Sequence, residues 1–275
     1  MEKPIYSKQE VSIRGTEVKQ IESKIVEGMS YELHITLPAN YQQSKDSFAV
    51  VYYLDAYYWG GTVIETYRLL RAYKEIAPLI LVGISYENAS NYDAWSYRSR
   101  DFYPTVITEV NKGNADNMVP PLSGGASKFL EFLDKELKPM VSENYRTKET
   151  GSGIFGISNG ALFATYVLFT SPGSFDKYLI GSPALYSDDF VTLRYEEEYY
   201  ARNKQLPASV FLSAGSDDFE EVKVSWNKLK DRIESRDYEG LNLATHIFEG
   251  ENHMSGIPAT ISRGFRELYG NVTKE

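Results

Sequence analysis

Short apolar runs alternate with longer segments of helical periodicity along most of this sequence. Residues 48–54 and 79–84 predict buried strands, and residues 60–76 between them predict a helix. The pattern continues with predicted strands at 153–155, 178–180, 210–214 and 244–248, and with predicted helices at 159–170, 220–235 and 257–268. Strands that are separated by helices form βαβ units, so the sequence predicts an α/β fold with a mainly parallel sheet flanked by helices.

Four further segments extend or interrupt this pattern. Residues 31–37 alternate with a period of two, which predicts a strand exposed on one face. Residues 128–141 predict a helix that Pro139 kinks or ends. Residues 86–127 are polar and aromatic without a clear period, so we expect an irregular segment of a functional or mobile kind. Residues 186–205 are rich in tyrosine, and we expect them to form a small helical cap insert.

Charge and cysteine content exclude several classes of protein. The chain contains 29 Lys and Arg and 38 Asp and Glu, so its net charge is −9. Nucleic acids and anionic membranes are therefore poor partners, because their negative charges would be repelled. The absence of cysteine excludes disulfides, thiolate zinc sites and a thiol nucleophile. No apolar run reaches the about 18 residues of a membrane span, and no signal sequence is visible. We therefore expect a small-molecule ligand and a cytoplasmic location, or a periplasmic or secreted one if a signal peptide was removed.

The pentapeptide Gly-Ile-Ser-Asn-Gly at 156–160 has the pattern G-x-S-x-G. It follows a predicted apolar strand directly and opens a predicted apolar helix. In that strand–turn–helix context the serine is a nucleophile on a strained backbone, and the flanking glycines relieve crowding in the turn. The alternative is an ordinary glycine-rich turn between strand and helix. The context favours Ser158 as a catalytic nucleophile.

A nucleophilic serine needs a general base, which is usually a histidine. The chain contains three histidines, of which His34 and His246 lie within predicted strands, where we expect structural roles. His253 lies in a loop between the last predicted strand and the last predicted helix, where its ring can reach Ser158. The alternative for His253 is a surface loop residue. We predict that His253 is the base.

The histidine in turn needs a carboxylate to orient it, and the chain order Ser, Asp or Glu, His places that acid after a late strand. Asp218 is the first choice, Asp217 the second and Glu221 the third. One of the two aspartates is also suited to cap the helix that follows, because Asp accepts hydrogen bonds from the first backbone N–H groups.

A tetrahedral oxyanion requires two backbone N–H donors, which we expect from Asn159 and from Tyr57, the latter in the turn after residues 48–54. Aromatic and charged side chains near these turns are candidates for substrate binding: Tyr58, Trp59, Arg98 and Tyr186. Arg98 and Arg100 could instead brace the core, and the sequence favours neither role. No cluster of His, Asp and Glu has metal-ligand spacing and no nucleotide-binding motif occurs, so we predict neither a metal nor a cofactor.

The motifs resemble those of the putative-esterase family of α/β-hydrolases, in the same order along about residues 25–270. They are VYYLD at 51–55, RSRDFYPT at 98–105, GISNG at 156–160, GSPA at 181–184, GSDD at 215–218 and GENH at 250–253. The resemblance is greatest to the siderophore-esterase-like branch. Two positions depart from the family pattern, since Ala161 stands where a second glycine is common, and Asp218 where that branch often has glutamate.

This resemblance implies a single α/β-hydrolase domain over residues 1–275 and hydrolysis of a carboxylic ester through an acyl-enzyme. It also implies that Ser158 is the nucleophile, His253 the base, Asp218 the acid and the Tyr57 amide an oxyanion donor. Substrates in the family include aromatic or feruloyl, acetyl and siderophore-lactone esters. Acyl transfer to an alcohol and a non-catalytic binding role are the alternatives to hydrolysis.

Overall fold

The computed structural model describes residues 12–86, 90–108, 120 and 122–271, without the side chains of 91 and 92. Within these residues the strands are β1 (Thr16–Glu22), β2 (Ser30–Thr36), β3 (Ala49–Tyr53), β4 (Leu79–Tyr86), β5 (Gly153–Ile157), β6 (Lys177–Gly181), β7 (Ser209–Gly215) and β8 (Asn242–Phe248). The helices are α1 (Ala56–Ala72), α2 (Asn91–Phe102), α3 (Ala126–Phe132), α4 (Lys138–Asn144), α5 (Asn159–Thr170), α6 (Val191–Arg202), α7 (Glu220–Glu234) and α8 (Gly256–Tyr269).

The strands form one sheet in the order β1-β2-β4-β3-β5-β6-β7-β8. β2 pairs antiparallel with both β1 and β4, while every pairing from β4 to β8 is parallel. The predicted α/β class with a mainly parallel sheet is confirmed. Because parallel strands point the same way, the turns after β3, β5, β6, β7 and β8 lie at one edge of the sheet.

Two apolar cores cover the two faces of the sheet. On β3, Val50 and Tyr52 face the core formed with α3, α4, α5 and α7, whereas Val51 and Tyr53 face the core formed with α1 and α8. Burial on both faces explains why these strands are continuously apolar in the sequence. Among the described helices, none combines the length and the hydropathy that a membrane span requires.

In the segment that we expected to be irregular, 86–127, residues 91–102 form the helix α2, so the expectation is wrong for this part, while residues 87–89, 109–119 and 121 lie outside the described residues. The helix begins with a reciprocal pair of hydrogen bonds, in which Ser90 Oγ accepts from the Asp93 backbone N–H and the Asp93 carboxylate accepts from the Ser90 N–H. Its buried side chains include Arg98 and Asp101, which are held by ion pairs. Hydrophobic periodicity does not detect a helix that is buried through charged residues.

The predicted helix 128–141 does not end at Pro139 but continues to Asn144. A π-helical turn, Leu133–Leu137, joins α3 to α4, and the Lys138 N–H donates to Leu133 O, five residues earlier. This wider turn lies directly ahead of Pro139, where the proline ring would otherwise crowd a regular α-helical turn.

The predicted cap insert, 186–205, contains α6, which lies against α5 and α7. Tyr195 of α6 contacts Tyr166 of α5 edge to face, with ring centroids 5.5 Å apart. Glu196 of α6 is fully buried and pairs with Arg232 and Arg236 at the end of α7. These contacts fix α6 to the helical layer on one face of the sheet, and its role as a cap within a single domain stays a prediction.

Candidate active site

Ser158 follows β5 directly and occupies a conformation, φ 58° and ψ −120°, that non-glycine residues adopt rarely. The turn is so tight that a Cβ atom on Gly156 would lie 2.1 Å from the Gly160 carbonyl oxygen. Glycine at 156 is therefore a steric requirement of this turn. The result is a strand that stops, a serine at the sheet edge, and a helix that begins with Asn159.

His253 contacts Asp218, with 2.8 Å between His253 Nδ1 and Asp218 Oδ1. The Asp218 side chain is fully buried, whereas the His253 side chain is 15% exposed. Because an ionised carboxylate only accepts hydrogen bonds, this contact assigns the proton to Nδ1 and leaves Nε2 as the basic nitrogen. The backbone N–H of Phe219 donates to the same oxygen of Asp218 over 2.8 Å.

Asp218 is stabilised in its ionised form. Burial alone would raise the pKa of Asp218, but the contact with His253, the polar Ser182 side chain and the Phe219 N–H hold this pKa below its usual range. Ser182 stands at the end of β6, one strand away from β7, and has a φ of 44°. Sequence reasoning did not assign Ser182 a role at the site, although it lies in the GSPA motif.

The two other candidate acids lie elsewhere. Asp217 is exposed and accepts from Ser216 Oγ over 3.1 Å, and Glu221 lies in the first turn of α7. Among the described residues, Asp218 is the carboxylate that His253 contacts. Neither aspartate caps α7, because Phe219 occupies the N-cap position and the helix has no side-chain cap. The expectation of a capping aspartate is wrong.

The His253 loop is pressed against the turn that carries Asp218. The Asp217 N–H donates to Glu251 O over 3.0 Å, and the Gly250 N–H donates to Ser216 Oγ over 2.8 Å. A Cβ atom on Gly215 would lie 2.0 Å from Glu251 O, so only glycine permits this approach. The loop contacts therefore set the distance between histidine and carboxylate.

The N-termini of α1 and α5 lie side by side. β3 and β5 are paired neighbours, with Tyr53 opposite Phe155, and a Cβ atom on Gly160 would lie 3.4 Å from Asp55 Oδ2. Tyr57 is the second residue of α1 and Asn159 the first residue of α5. The N-terminus of a helix carries a partial positive charge and directs its backbone N–H groups outward, which suits this end of a helix to bind an anion.

Arg98 is paired with Asp55, the residue that precedes α1. Arg98 Nε donates to Asp55 Oδ1 over 2.7 Å and Nη2 donates to Oδ2 over 2.8 Å. Their side chains are 9% and 1% exposed. Burial would lower the pKa of Arg98, but the Asp55 carboxylate keeps it above its usual value. The contact supports the bracing role for Arg98, and its expected role in substrate binding stays a prediction; Arg100 pairs with Asp101.

The aromatic turn after β3 has one fixed and two exposed rings. Trp59 Nε1 donates to Leu54 O over 3.0 Å, which ties this ring to the backbone. Tyr57 and Tyr58 are 43% and 47% exposed. Tyr186 is half-buried in the turn that follows β6.

Two histidines lie away from this group, in the strands where we expected them. His34 contacts Glu32 in β2, and the His246 ring packs on Phe248 in β8.

Comparison with known proteins places the chain among esterases. It matches the family model described as putative esterase over residues 24–236. It is 30% identical over 264 residues to ferri-bacillibactin esterase BesA of Bacillus subtilis, covering 93% of this chain and 90% of that protein. It is 26% identical to siderophore triacetylfusarinine C esterase of Aspergillus fumigatus, covering 88% and 89%. The crystal structure of BES protein from Bacillus cereus matches with a TM-score of 0.84 and 30% identity, covering 97% of this chain and 100% of that one.

Fold and relatives together define the class of protein as a serine esterase with the α/β-hydrolase fold. The chain belongs to the putative esterase family and is a carboxylic ester hydrolase. The resemblance that the sequence motifs indicated is confirmed.

Proposed function

We propose that this esterase cleaves its substrate through a transient acyl-enzyme on Ser158, with His253 as general base and Asp218 as the acid that orients it. The observation that carries the proposal is the 2.8 Å contact between His253 Nδ1 and Asp218 Oδ1 at the sheet edge that also bears the Ser158 turn. A serine hydroxyl is a weak nucleophile until a neighbouring base removes its proton.

In the first half of the reaction, His253 Nε2 takes the proton of Ser158 Oγ while this oxygen bonds to the ester carbon. The tetrahedral intermediate then collapses, the bond to the alcohol oxygen breaks, and His253 gives the proton to the departing alcohol. In the second half, His253 activates water, which releases the acid and restores Ser158. Among the described residues, Ser158 Oγ makes no hydrogen bond to His253; in unliganded enzymes such contacts often tighten only on substrate binding.

The tetrahedral oxyanion is bound by the backbone N–H groups of Asn159 and Tyr57. Both belong to first helical turns that meet at this edge, so the two helix dipoles add to the two hydrogen bonds. Asp55 would oppose the oxyanion by its charge, and its bidentate partner Arg98 neutralises it. Arg98 therefore affects the oxyanion indirectly, by neutralising the charge of Asp55.

For the substrate, we infer an ester with planar or aromatic groups, and a siderophore lactone in particular. Of the relatives named above, one is a siderophore esterase by name and another is a ferri-bacillibactin esterase by name. The exposed rings of Tyr57 and Tyr58 flank the proposed oxyanion site and offer flat contact surfaces with hydroxyls that can bind phenolic oxygens. Trp59 contacts Tyr58, with ring centroids 5.8 Å apart, and we propose that Tyr186, in the turn after β6, also contacts the substrate.

The test combines active-site labelling with an ester panel. A fluorophosphonate probe is expected to label Ser158, and Ser158→Ala is expected to lose both the labelling and at least about 10³-fold of kcat. The panel contains 4-nitrophenyl acetate, butyrate, octanoate and palmitate, methyl ferulate and a catecholate tri-lactone.

The highest kcat/KM is expected for the tri-lactone or for short and aromatic acyl groups. Activity that rises steadily to palmitate would contradict the inferred substrate class. Labelling at Ser182 or Ser213, or turnover that survives Ser158→Ala, would contradict the nucleophile. Transesterified product in the presence of glycerol would identify an acyltransferase, and binding without turnover would identify a non-catalytic protein.

A further inference from the structure

Phe219 is an exposed aromatic residue in contact with the proposed base. Its side chain is 62% exposed, and its ring centroid lies 5.0 Å from that of His253, with 41° between the ring planes. A single exposed apolar side chain needs no explanation by itself. Phe219 is different because it directly follows Asp218 and because its ring contacts His253, which pairs with Asp218.

The ring of Phe219 projects from a fixed piece of backbone. The Phe219 N–H donates to Asp218 Oδ1 over 2.8 Å, and the Phe219 carbonyl accepts from the N–H groups of Val222 and Lys223 over 3.0 Å each. The first of these three bonds ties Phe219 to the carboxylate that His253 contacts, and the other two tie it to the first turn of α7. A ring held in this way is preorganised to bind a ligand, because little freedom is lost when the ligand arrives.

The position of Phe219 distinguishes it from Tyr57 and Tyr58. The two tyrosines follow β3, Phe219 follows β7, and β5, which carries Ser158, lies between those strands in the sheet. The proposed nucleophile therefore lies between two exposed aromatic surfaces, one formed by Tyr57 and Tyr58 and the other by Phe219. Met254 directly follows His253 and is a second exposed apolar side chain, with 66% of its surface accessible.

The reaction chemistry implies that these two aromatic surfaces contact different parts of the ester. His253 must reach the oxygen of the departing alcohol to protonate it, so the alcohol lies on the histidine side of the reacting carbon. The oxyanion donors beside Tyr57 and Tyr58 bind the carbonyl oxygen on the other side.

We propose that Phe219, with Met254 beside it, forms the binding surface for the leaving alcohol and selects alcohols that carry a planar apolar group. This inference rests on the proposed acyl-enzyme mechanism. Aromatic rings gain from offset or tilted contact with another ring beyond the gain from burial alone. The surface acts only in acylation, because the alcohol has left before the acyl-enzyme is hydrolysed.

The experiment compares acetate esters that differ only in the alcohol, benzyl acetate and ethyl acetate, by acid release. In Phe219→Ala, kcat/KM for benzyl acetate is expected to fall about fivefold relative to ethyl acetate. Phe219→Tyr keeps a ring and is expected to keep the preference. Tyr73→Ala removes a ring that is 81% exposed at the other end of α1, and is expected to change nothing.

A second readout separates substrate binding from positioning of His253. The deacylation rate after a burst with 4-nitrophenyl acetate is expected to stay within about twofold of the wild type in Phe219→Ala. An equal loss with both esters together with slower deacylation would overturn the proposal, since Phe219 would then act by positioning His253. Failure of the wild type to hydrolyse benzyl acetate would overturn it as well.

Two controls keep the outcomes distinct. Circular dichroism and the rate of fluorophosphonate labelling show whether Phe219→Ala is folded, and Phe219→Leu replaces it if it is not, with the same loss of ring preference expected. Loss of turnover in Ser158→Ala with unchanged alcohol preference in the Phe219 variants overturns this inference alone. Turnover that survives Ser158→Ala overturns the proposed function and this inference together.

Discussion

Asp217 and Asp218 are chemically identical neighbours with opposite environments. Asp218 is buried, accepts from His253 and from the Phe219 N–H, and has a lowered pKa, whereas Asp217 is exposed to solvent. In the irregular turn after β7, the side chains of these two consecutive residues point to opposite sides. Of these two aspartates, Asp218 is therefore the one in a position to stabilise the imidazolium of the proposed mechanism.

Asp218→Asn is expected to lower kcat by about 10³–10⁴-fold with the fold preserved, because an amide favours the wrong tautomer of His253. Asp217→Asn, the matched control, is expected to stay within about twofold of the wild type. The measurement is kcat on 4-nitrophenyl acetate, with circular dichroism of each variant. Greater sensitivity of Asp217 would show that the neighbouring residue is the acid, and insensitivity of both would favour Glu221 or a Ser–His dyad.

At the scale of elements, α1, α2 and α5 contribute to the oxyanion side of the candidate site. α1 and α5 present their N-termini to the proposed oxyanion, and α2 contributes Arg98, which holds Asp55 at the start of α1. Asp55 has a φ of 56°, which costs a non-glycine residue roughly 1–3 kcal/mol and persists only because surrounding contacts impose it. The ion pair thus maintains both the conformation and the charge balance of the first turn of α1.

Arg98→Met is expected to lower the free energy of unfolding by about 3–5 kcal/mol, because Asp55 would remain buried without a partner. The double variant with Asp55→Leu is expected to regain most of this loss, since no unpaired charge is left. Arg194→Met breaks an exposed pair with Asp188 and serves as a control, with a change of at most about 1 kcal/mol. Urea unfolding measures all three. A loss in Arg98→Met no larger than in the control would contradict the bracing role.

At the scale of the whole molecule, a buried carboxyl links the sheet to the helical layer. Asp101 of α2 accepts from Tyr31 of β2, Tyr86 of β4 and Arg100. Burial raises the pKa of Asp101 to about 6, although Arg100 and the two tyrosine hydroxyls oppose this rise. The native state therefore retains a proton that the unfolded chain releases near pH 4.

The direction in which stability changes with pH depends on how many protons the native and the unfolded state bind. Between about pH 4 and pH 6 the native state binds more protons, so the contribution of Asp101 to stability decreases as the pH rises through this window. Asp101→Asn cannot ionise and is expected to gain up to about 3 kcal/mol relative to the wild type between pH 4 and pH 7. Urea unfolding of both proteins at the two pH values measures this difference. A difference that does not depend on pH would refute the raised pKa.

The sequence by itself determined the features that depend on neighbouring residues along the chain. Continuous apolar runs of strand length predicted the buried strands, and the order of strands and helices predicted a parallel sheet. The G-x-S-x-G turn was visible because its strain is local: Gly156 faces Gly160 only four residues away. The position of His253 in the loop after the last strand was likewise visible from the local order of strand, loop and helix in the sequence.

Only the tertiary structure decided which of several equivalent side chains face one another. The distinction between Asp217 and Asp218 depends on the 249–253 loop from the next strand, and the bracing contact of Arg98 depends on Asp55, 43 residues earlier in the chain. The helix α2 was hidden because polar and charged residues, Ser96, Arg98, Ser99 and Asp101, occupy much of its buried face. The role inferred for Phe219 required its contact with His253, 34 residues away. Such contacts join turns and helices that are close in the fold but distant in the sequence. Hydrophobic periodicity carries information about burial and none about the partner.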